Sequence, residues 1–270
     1  MLRGGRIEYK TRDQLRAMRR AGLVVADALA AVRAAAEPGI RTRDLDAVAA
    51  QVIADAGATS NFLGYYGFPA TTCVSVNEEI VHGIPGERVL ADGDVVSVDC
   101  GAVVDGWHGD SAITFIIGSP RAGAAELVEL TEQALWAGIT AIRAGGRVAD
   151  IGAAVEAFVA GRAGVVREYT GHGIGSQLHQ PPDVPNYRPS RRGPRIRPGM
   201  CLAVEPMLTA GAASTDELDD EWTVVTSDGS VAAHWEHSVA VLADGLAVLT
   251  AADGGKTELG RRGVPVVELD

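Results

Sequence analysis

Acidic residues embedded in apolar runs constrain this chain more than any other feature. Asp99 closes VVSVD, Glu205 closes LAVE, Glu236 lies in AAHWEH, and Asp110 sits at the head of DSAITF. His172, in GHGIG, adds an imidazole. An acid inside an apolar strand costs on the order of several kcal/mol unless it is paired or metal-bound. Two carboxylates ~4 Å apart repel by roughly 4 kcal/mol at an effective dielectric near 20. If the four acids converge with His172, two divalent cations would cancel their charge, and a two-metal hydrolytic centre is expected. Singly, each residue has a plainer reading: an exposed hairpin acid, a salt bridge to an arginine, or a loop histidine.

Spacing strengthens the joint reading. Asp105-Gly106 is a two-residue hairpin signal between VVSVDCGAVV and WHGDSAITF. With those two residues as the loop, Asp99 falls opposite Ala112 and Asp110 becomes its diagonal neighbour on the same face. Diagonal neighbours lie ~7–8 Å apart at the backbone, within reach of shared cations. Glycines flank His172 and allow close backbone approach. Asp228-Gly229 is expected to mark a second hairpin, with Glu236 in its returning strand. An oxygen-dominated ligand set with one imidazole and no thiolate suits manganese, iron(II) or cobalt(II), with zinc or magnesium as further candidates.

The chain of 270 residues can bury a large core. Its net charge of -11 argues against a nucleic-acid-binding role for the whole, so no DNA partner is expected. Cys73, Cys100 and Cys201 are odd in number and widely spaced, which indicates neither a disulfide framework nor a thiolate zinc site, and a reducing cytoplasm is the expected home. Arg19-Arg20 before AGLVVADALAAV imitates a twin-arginine signal, but Asp27 interrupts the run and Thr11 with Gln14 forms a capping-box pattern. The reading is a core-packing helix, with no membrane span.

Shifted by 106 positions, Asp44-Leu45 falls on Asp150-Ile151, Tyr66 on His172, Gly67 on Gly173, Gly93 on Gly199 and Asp99 on Glu205. The repeated order of helix, helix, Gly-rich segment, strand and acid predicts one α+β domain over residues 1–270. Its related helix-helix-strand halves span about 11–117 and 124–250, around a mostly antiparallel curved sheet. Helices are predicted near 11–36, 43–56, 124–143 and 149–163. The tail, 253–270, is expected to be a surface extension. Residues 1–20, with seven basic and two acidic groups, and the segment YRPSRRGPRIRPG, with five arginines, are read as solvated basic surface. The alternative for them is ribosomal RNA contact.

Asp99 and Asp110 eleven apart, His172 in GHGIG, Glu205 in VEPM and Glu236 in WEHS together resemble the type I methionine aminopeptidases. LGYYGFPATTCVSVNEEIVHGIP and EWTVVTSDGS reinforce the resemblance, which spans about residues 10–250. It implies the pita-bread fold and removal of the initiator methionine from nascent chains whose second residue is small. The implied mechanism is attack of water activated by two metal ions. Asp99 would chelate one ion, His172 and Glu205 the other, and Asp110 and Glu236 would bridge both. Glu205 would also transfer a proton, His179 would contact the scissile carbonyl, and His82 would lie near the scissile nitrogen. Tyr65, Phe68, Cys73 and Trp222 would line the methionine pocket. Phe62 and Leu178 stand where the family often has cysteine and phenylalanine, and Tyr66 replaces a histidine. The expected form is a minimal catalytic monomer without an N-terminal extension, and the partners are nascent N-termini with a transient ribosome contact. An X-Pro peptidase on the same fold and an inactive binding scaffold remain the rival readings.

Overall fold

The computed structural model describes residues 5–269. Helices α1 (Arg12–Ala35) and α2 (Thr42–Asp55) open the chain. Strands β1 (Thr59–Ser60), β2 (Thr72–Val76), β3 (Glu79–Val81), β4 (Val95–Val104) and β5 (Trp107–Ile116) follow. Helices α3 (Ala124–Thr140) and α4 (Ala149–Val159) begin the second half. Its strands are β6 (Gly164–Val165), β7 (Gly171–Gly173), β8 (Gln180–Val184), β9 (Cys201–Val204), β10 (Met207–Thr209), β11 (Thr215–Glu217), β12 (Val224–Thr226), β13 (Ala232–His234), β14 (His237–Val241) and β15 (Leu246–Val248). The short helix α5 (Lys256–Arg261) comes last.

The architecture is the α+β pita-bread arrangement, and every pairing between named strands is antiparallel. The strands form four hydrogen-bonded sheets, the largest running β15-β14-β9-β7-β8. Each helix pair covers its own half. Val25, Leu29 and Val32 of α1 pack with Leu45 and Ile53 of α2 against Val74, Val96 and Val98. Leu135, Ile139 and Ile151 pack with Val184, Leu202, Val204 and Val239. Helix α1 begins as its sequence predicts, with Gln14 N donating to Thr11 Oγ1 and Thr11 N donating to Gln14 Oε1. Its Gly22 is needed for packing, because a Cβ there would lie 2.2 Å from the Leu249 carbonyl oxygen.

Joints recur between the halves at the 106-residue shift. Gly39 N donates to Leu90 O and Gly145 N to Ile196 O, both at 2.8 Å. Gly93 N donates to Ile117 O and Gly199 N to Val241 O, at 2.7 and 2.8 Å, with donors at the shift and acceptors 124 positions apart. Asp44 accepts from Arg41 N, and Asp150 accepts from Arg147 N.

Three expectations are corrected. Asp228-Gly229 does form a turn, but β12 and β13 do not pair with each other: β12 joins β11 and β3, while β13 joins β10. Asp228 accepts from Ala212 N and Ser230 N, which folds the turn onto residue 212 and separates the flanking strands. Glu236 accordingly lies in a break between β13 and β14. The tail is no loose extension, because Leu259 of α5 is fully buried and Val264 nearly so. Nor is the N-terminal basic stretch wholly solvated. Lys10 is buried, and the Arg19 guanidinium donates to the carbonyls of Val248, Leu249, Ala251 and Ala252. Both terminal stretches extend at residues 1–4 and 270 beyond the described residues. Arg188, Arg191, Arg192, Arg195 and Arg197 are exposed.

Candidate metal centre

The β4–β5 hairpin turns on Asp105-Gly106, both at positive φ, which is what a tight two-residue loop between twisted strands requires. Its register pairs Asp99 with Ala112 and Gly101 with Asp110, so the two acids are diagonal neighbours on one face. Glu205 and Glu236 are brought in by an interrupted ladder. Strand β9 pairs with β14 as far as Val204↔His237, and β10 pairs with β13 from Met207↔His234. The same register sets Glu205 across from Glu236 in the gap between those pairs. Like charges directly opposite one another destabilise a sheet. The gap is sewn to the hairpin: Glu236 N donates to Ala112 O at 2.9 Å, Ser111 Oγ to Glu236 O at 2.6 Å and Ser238 Oγ to Asp110 O at 2.8 Å. Asn186 Nδ2 holds the Glu205 carbonyl at 2.9 Å.

His172 enters from β7, where its glycine neighbours let the strands close in. A Cβ at Gly171 would lie 2.3 Å from Ala203 O, and one at Gly173 2.3 Å from Pro181 O. His172 Nδ1 lies 3.0 Å from Gly173 O, which makes Nδ1 the protonated nitrogen and leaves a lone pair on Nε2. Nε2 lies 3.4 Å from Glu205 Oε1 and 3.9 Å from Asp110 Oδ2. A lone pair facing ionised carboxylate oxygens is repulsive unless a cation or a proton lies between them. Ligand atoms of Asp110, His172 and Glu236 all fall within 4.8 Å of one another.

Burial gives this cluster its chemistry. Asp99 Oδ1, Asp110 Oδ1, Glu205 Oε1 and Glu236 Oε1 are buried without a hydrogen-bond partner. Among the described residues, their only ion-pair partner is His172. Desolvation pushes the Asp99 carboxyl up to about 7. Desolvation, then the charges of Asp99 and Glu205, raises Asp110 well above the carboxylate range. Glu205 is raised by desolvation and Asp99, and Glu236 by desolvation, Asp110, Glu205 and Asp99. Among the described residues, no arginine or lysine lines the site to pair with these acids. The donor set therefore fits divalent cations bound by oxygens and one imidazole.

The cluster floors a cavity of about 220 Å³. Phe62, Tyr65, Phe68, Cys73, Leu178 and Trp222 form its apolar walls. The Phe68 and Trp222 rings meet edge to face at 5.0 Å. Burial, aided by the nearby Asp99 and Asp110 charges, raises the Cys73 thiol well above its usual range, so it is a packing group and no nucleophile. His179 meets His172 edge to face, with ring centroids 4.3 Å apart, and its Nδ1 lies 2.7 Å from the Tyr65 hydroxyl. His82 sits at φ 61°, a costly backbone for a non-glycine residue, with its ring against Tyr169. Burial lowers both His82 and His179 to about 4, with His179 adding to the shift of His82 and His108 to that of His179. Both are neutral near pH 7.

All eleven site residues expected from the sequence line this cavity, whereas Tyr66 is 87% exposed. Sequence reasoning passed over Tyr169, Thr170, Met207 and His234, which also line it. His234 is buried and its Nε2 has no partner. The signal was present in AAHWEH, one position outside the apolar-acid pattern that drew attention to Glu236.

A buried acid-imidazole cradle beneath an apolar cavity on a pita-bread frame defines a metal-dependent hydrolase. The sequence model of metallopeptidase family M24 matches residues 16–243, and the chain belongs to that family. It is 51% identical to methionine aminopeptidase 1 of Mycobacterium tuberculosis, over 92% of this chain and 97% of the relative. The crystal structure of methionine aminopeptidase from Thermotoga maritima superposes with a TM-score of 0.89 at 39% identity, covering 91% of this chain and 99% of that one. A prolidase from Pyrococcus furiosus shares the fold alone, with a TM-score of 0.72 at 18% identity over 65% of its length.

Proposed function

We propose that the chain removes the initiator methionine from nascent polypeptides whose second residue is small, using two divalent ions, with manganese, iron(II) or cobalt(II) the leading candidates. The observation that carries this reading is the convergence, under one apolar cavity, of His172 and four carboxyl groups that each bury an oxygen with no hydrogen-bond partner. At about 220 Å³, the cavity is smaller than the roughly 300–1,000 Å³ of drug-sized ligand pockets, which suits one terminal residue. Phe62, Phe68, Cys73, Leu178 and Trp222 offer the methionine side chain a soft, apolar surface.

Asp99 would hold one ion, His172 and Glu205 the other, and Asp110 and Glu236 would bridge them. Bound divalent ions supply an acidified water and polarise the scissile carbonyl. Glu205, at the ladder gap, would take the proton of the attacking water and return it to the departing amine. With the Tyr65 hydroxyl, 2.7 Å from His179 Nδ1, as the donor, Nε2 would carry the N–H, and neutral His179 would donate to the carbonyl oxygen as negative charge develops there. His82, also neutral, would orient the scissile amide nitrogen.

We place the protein in the cytoplasm as a monomer, with the exposed arginines of 188–197 suited to a transient, salt-sensitive ribosome contact. Among the described residues, no helix is long and apolar enough to cross a membrane. The test is product-resolved hydrolysis of Met-Ala-Ser and Leu-Pro-Ser peptides by metal-stripped protein refilled with manganese or cobalt. Free methionine from the first peptide alone, abolished by Asp110→Ala, is expected. Cleavage before proline would transfer the assignment to the X-Pro peptidases, and cleavage of neither would leave an inactive scaffold.

A further inference from the structure

The loop joining β7 to β8 carries Leu178 and His179, and it is tied down from outside by the chain's N-terminal segment. Glu8 Oε2 accepts from Ser176 N at 3.0 Å. Lys10 Nζ lies 3.3 Å from Glu8 Oε2, and donates to Glu8 O at 3.3 Å and to Gln180 Oε1 at 3.4 Å. Gln180 Nε2 in turn donates to Ser176 Oγ at 3.2 Å. The knot is tight. A Cβ at Gly175 would lie 2.1 Å from Glu8 Oε2 and 2.3 Å from Lys10 Cε, so any larger residue there would push these two side-chain ends out of the knot. Lys10 N is itself anchored to Gly199 O at 2.7 Å, beside β9, and His108 N grips Gly175 O from the hairpin side at 3.0 Å.

The Lys10 side chain is only 2% exposed, against 30% for Glu8. Burying an ammonium is costly, and an apolar residue of similar shape would serve stability as well or better. What the ammonium adds is direction: its donors fix Glu8 and Gln180, which hold Ser176 between them, three residues before His179. We propose that Glu8 and Lys10 are positioning residues that set the His179 loop over the acid cluster. This inference rests on the proposed aminopeptidase function for its catalytic consequence, and on the hydrogen-bonded knot alone for its structural part.

Lys10→Met keeps the aliphatic stem and removes the charge, leaving Glu8 to solvent. Glu8→Gln/Lys10→Met leaves no unpaired charge and replaces the single variant if that one does not fold. Hydrogen exchange on metal-free protein should show the Ser176 and His179 amides exchanging at least about tenfold faster in the variant, with α3 and β4 amides unchanged. With metal-loaded protein and Met-Ala-Ser, kcat should fall about tenfold while KM stays within about twofold. In a His179→Ala background, Lys10→Met should add little further loss, because it acts through that ring. Unchanged loop exchange, or a full tenfold loss on top of His179→Ala, would overturn the proposal. A wild-type protein that releases no methionine would instead count against the function, and the exchange result would still decide the knot.

Discussion

The two halves share joints and differ in what they carry. Gly39 bonds Leu90 as Gly145 bonds Ile196, both ends at the 106-residue shift, whereas Gly93 and Gly199 donate to Ile117 and Val241, whose separation differs. Yet the first half presents its acids on an unbroken ladder running from Val95↔Ile116 to Val104↔Trp107, where Asp99 and Asp110 are diagonal. The second half opens its ladder between Val204↔His237 and Met207↔His234, setting two glutamates face to face. At the shifted positions, Tyr66 is 87% exposed whereas His172 is 5% exposed. We infer one domain built of two related halves, in which the joints maintain the frame and the chemistry comes from departures between them. Backbone bonds at glycine turns tolerate much side-chain change, while the acids that the two halves bring together repel one another unless cations lie between them.

The largest expected effect falls on a residue belonging to both arrangements. Asp110→Ala should lower metal-dependent hydrolysis by about 10³-fold or more, and mass spectrometry under native conditions should find less bound metal. Equal activity in the variant would detach the hairpin from the site.

The sharpest contrast concerns the ladder gap. Glu236→Gln removes one of two facing acids, so metal-free protein at pH 8 should melt higher, by roughly 2–4 °C for each kcal/mol of relieved repulsion and desolvation. The same variant should bind metal more weakly. A lower metal-free melting temperature would mean that the glutamates stabilise the gap unaided.

Affinity for metal should depend on pH with a definite sign. The Asp99 carboxyl is pushed up to about 7 and its neighbours are raised as well, so metal-free protein holds protons that cations must displace. Binding therefore tightens as pH rises from about 6 through 7, with proton release measurable by calorimetry in buffers of different ionisation enthalpy. For the metal-free fold the sign is reversed. A raised carboxyl contributes stability fully below its unfolded value, and that contribution is lost as pH climbs through its folded value. A pH-independent metal affinity between 6 and 8 would contradict the burial argument.

Two smaller effects test the frame. Leu259→Ala in α5 should cost about 2–5 kcal/mol in denaturant unfolding, because the tail is packed into the second-half core. Tyr66→Ala should change stability by less than about 0.5 kcal/mol, since an exposed ring has few contacts to lose.

The hairpin was legible because its information is local. A two-residue Asp-Gly loop and a side-chain period of two leave one register, and Asp99 then has to neighbour Asp110. Helix α1 was equally plain from its capping box, and the Gly-containing breaks placed the helices that follow. The Glu205–Glu236 gap was not, because its partners are separated by β10 to β13, and an Asp-Gly turn between them imitated a hairpin. The inward turn of Lys10 was hidden by its company, seven basic groups in twenty residues that read together as solvated surface. His234 was missed for the opposite reason, standing in the shadow of a stronger signal two residues away.

The measurement that bears most directly on the central claim is anomalous diffraction from crystals of the wild-type protein and of Glu236→Gln, each soaked in manganese. The account predicts two adjacent peaks in the wild type among Asp99, Asp110, His172, Glu205 and Glu236, with at least one weakened in the variant. No peak among these carboxylates, or identical peaks in both crystals, would contradict it.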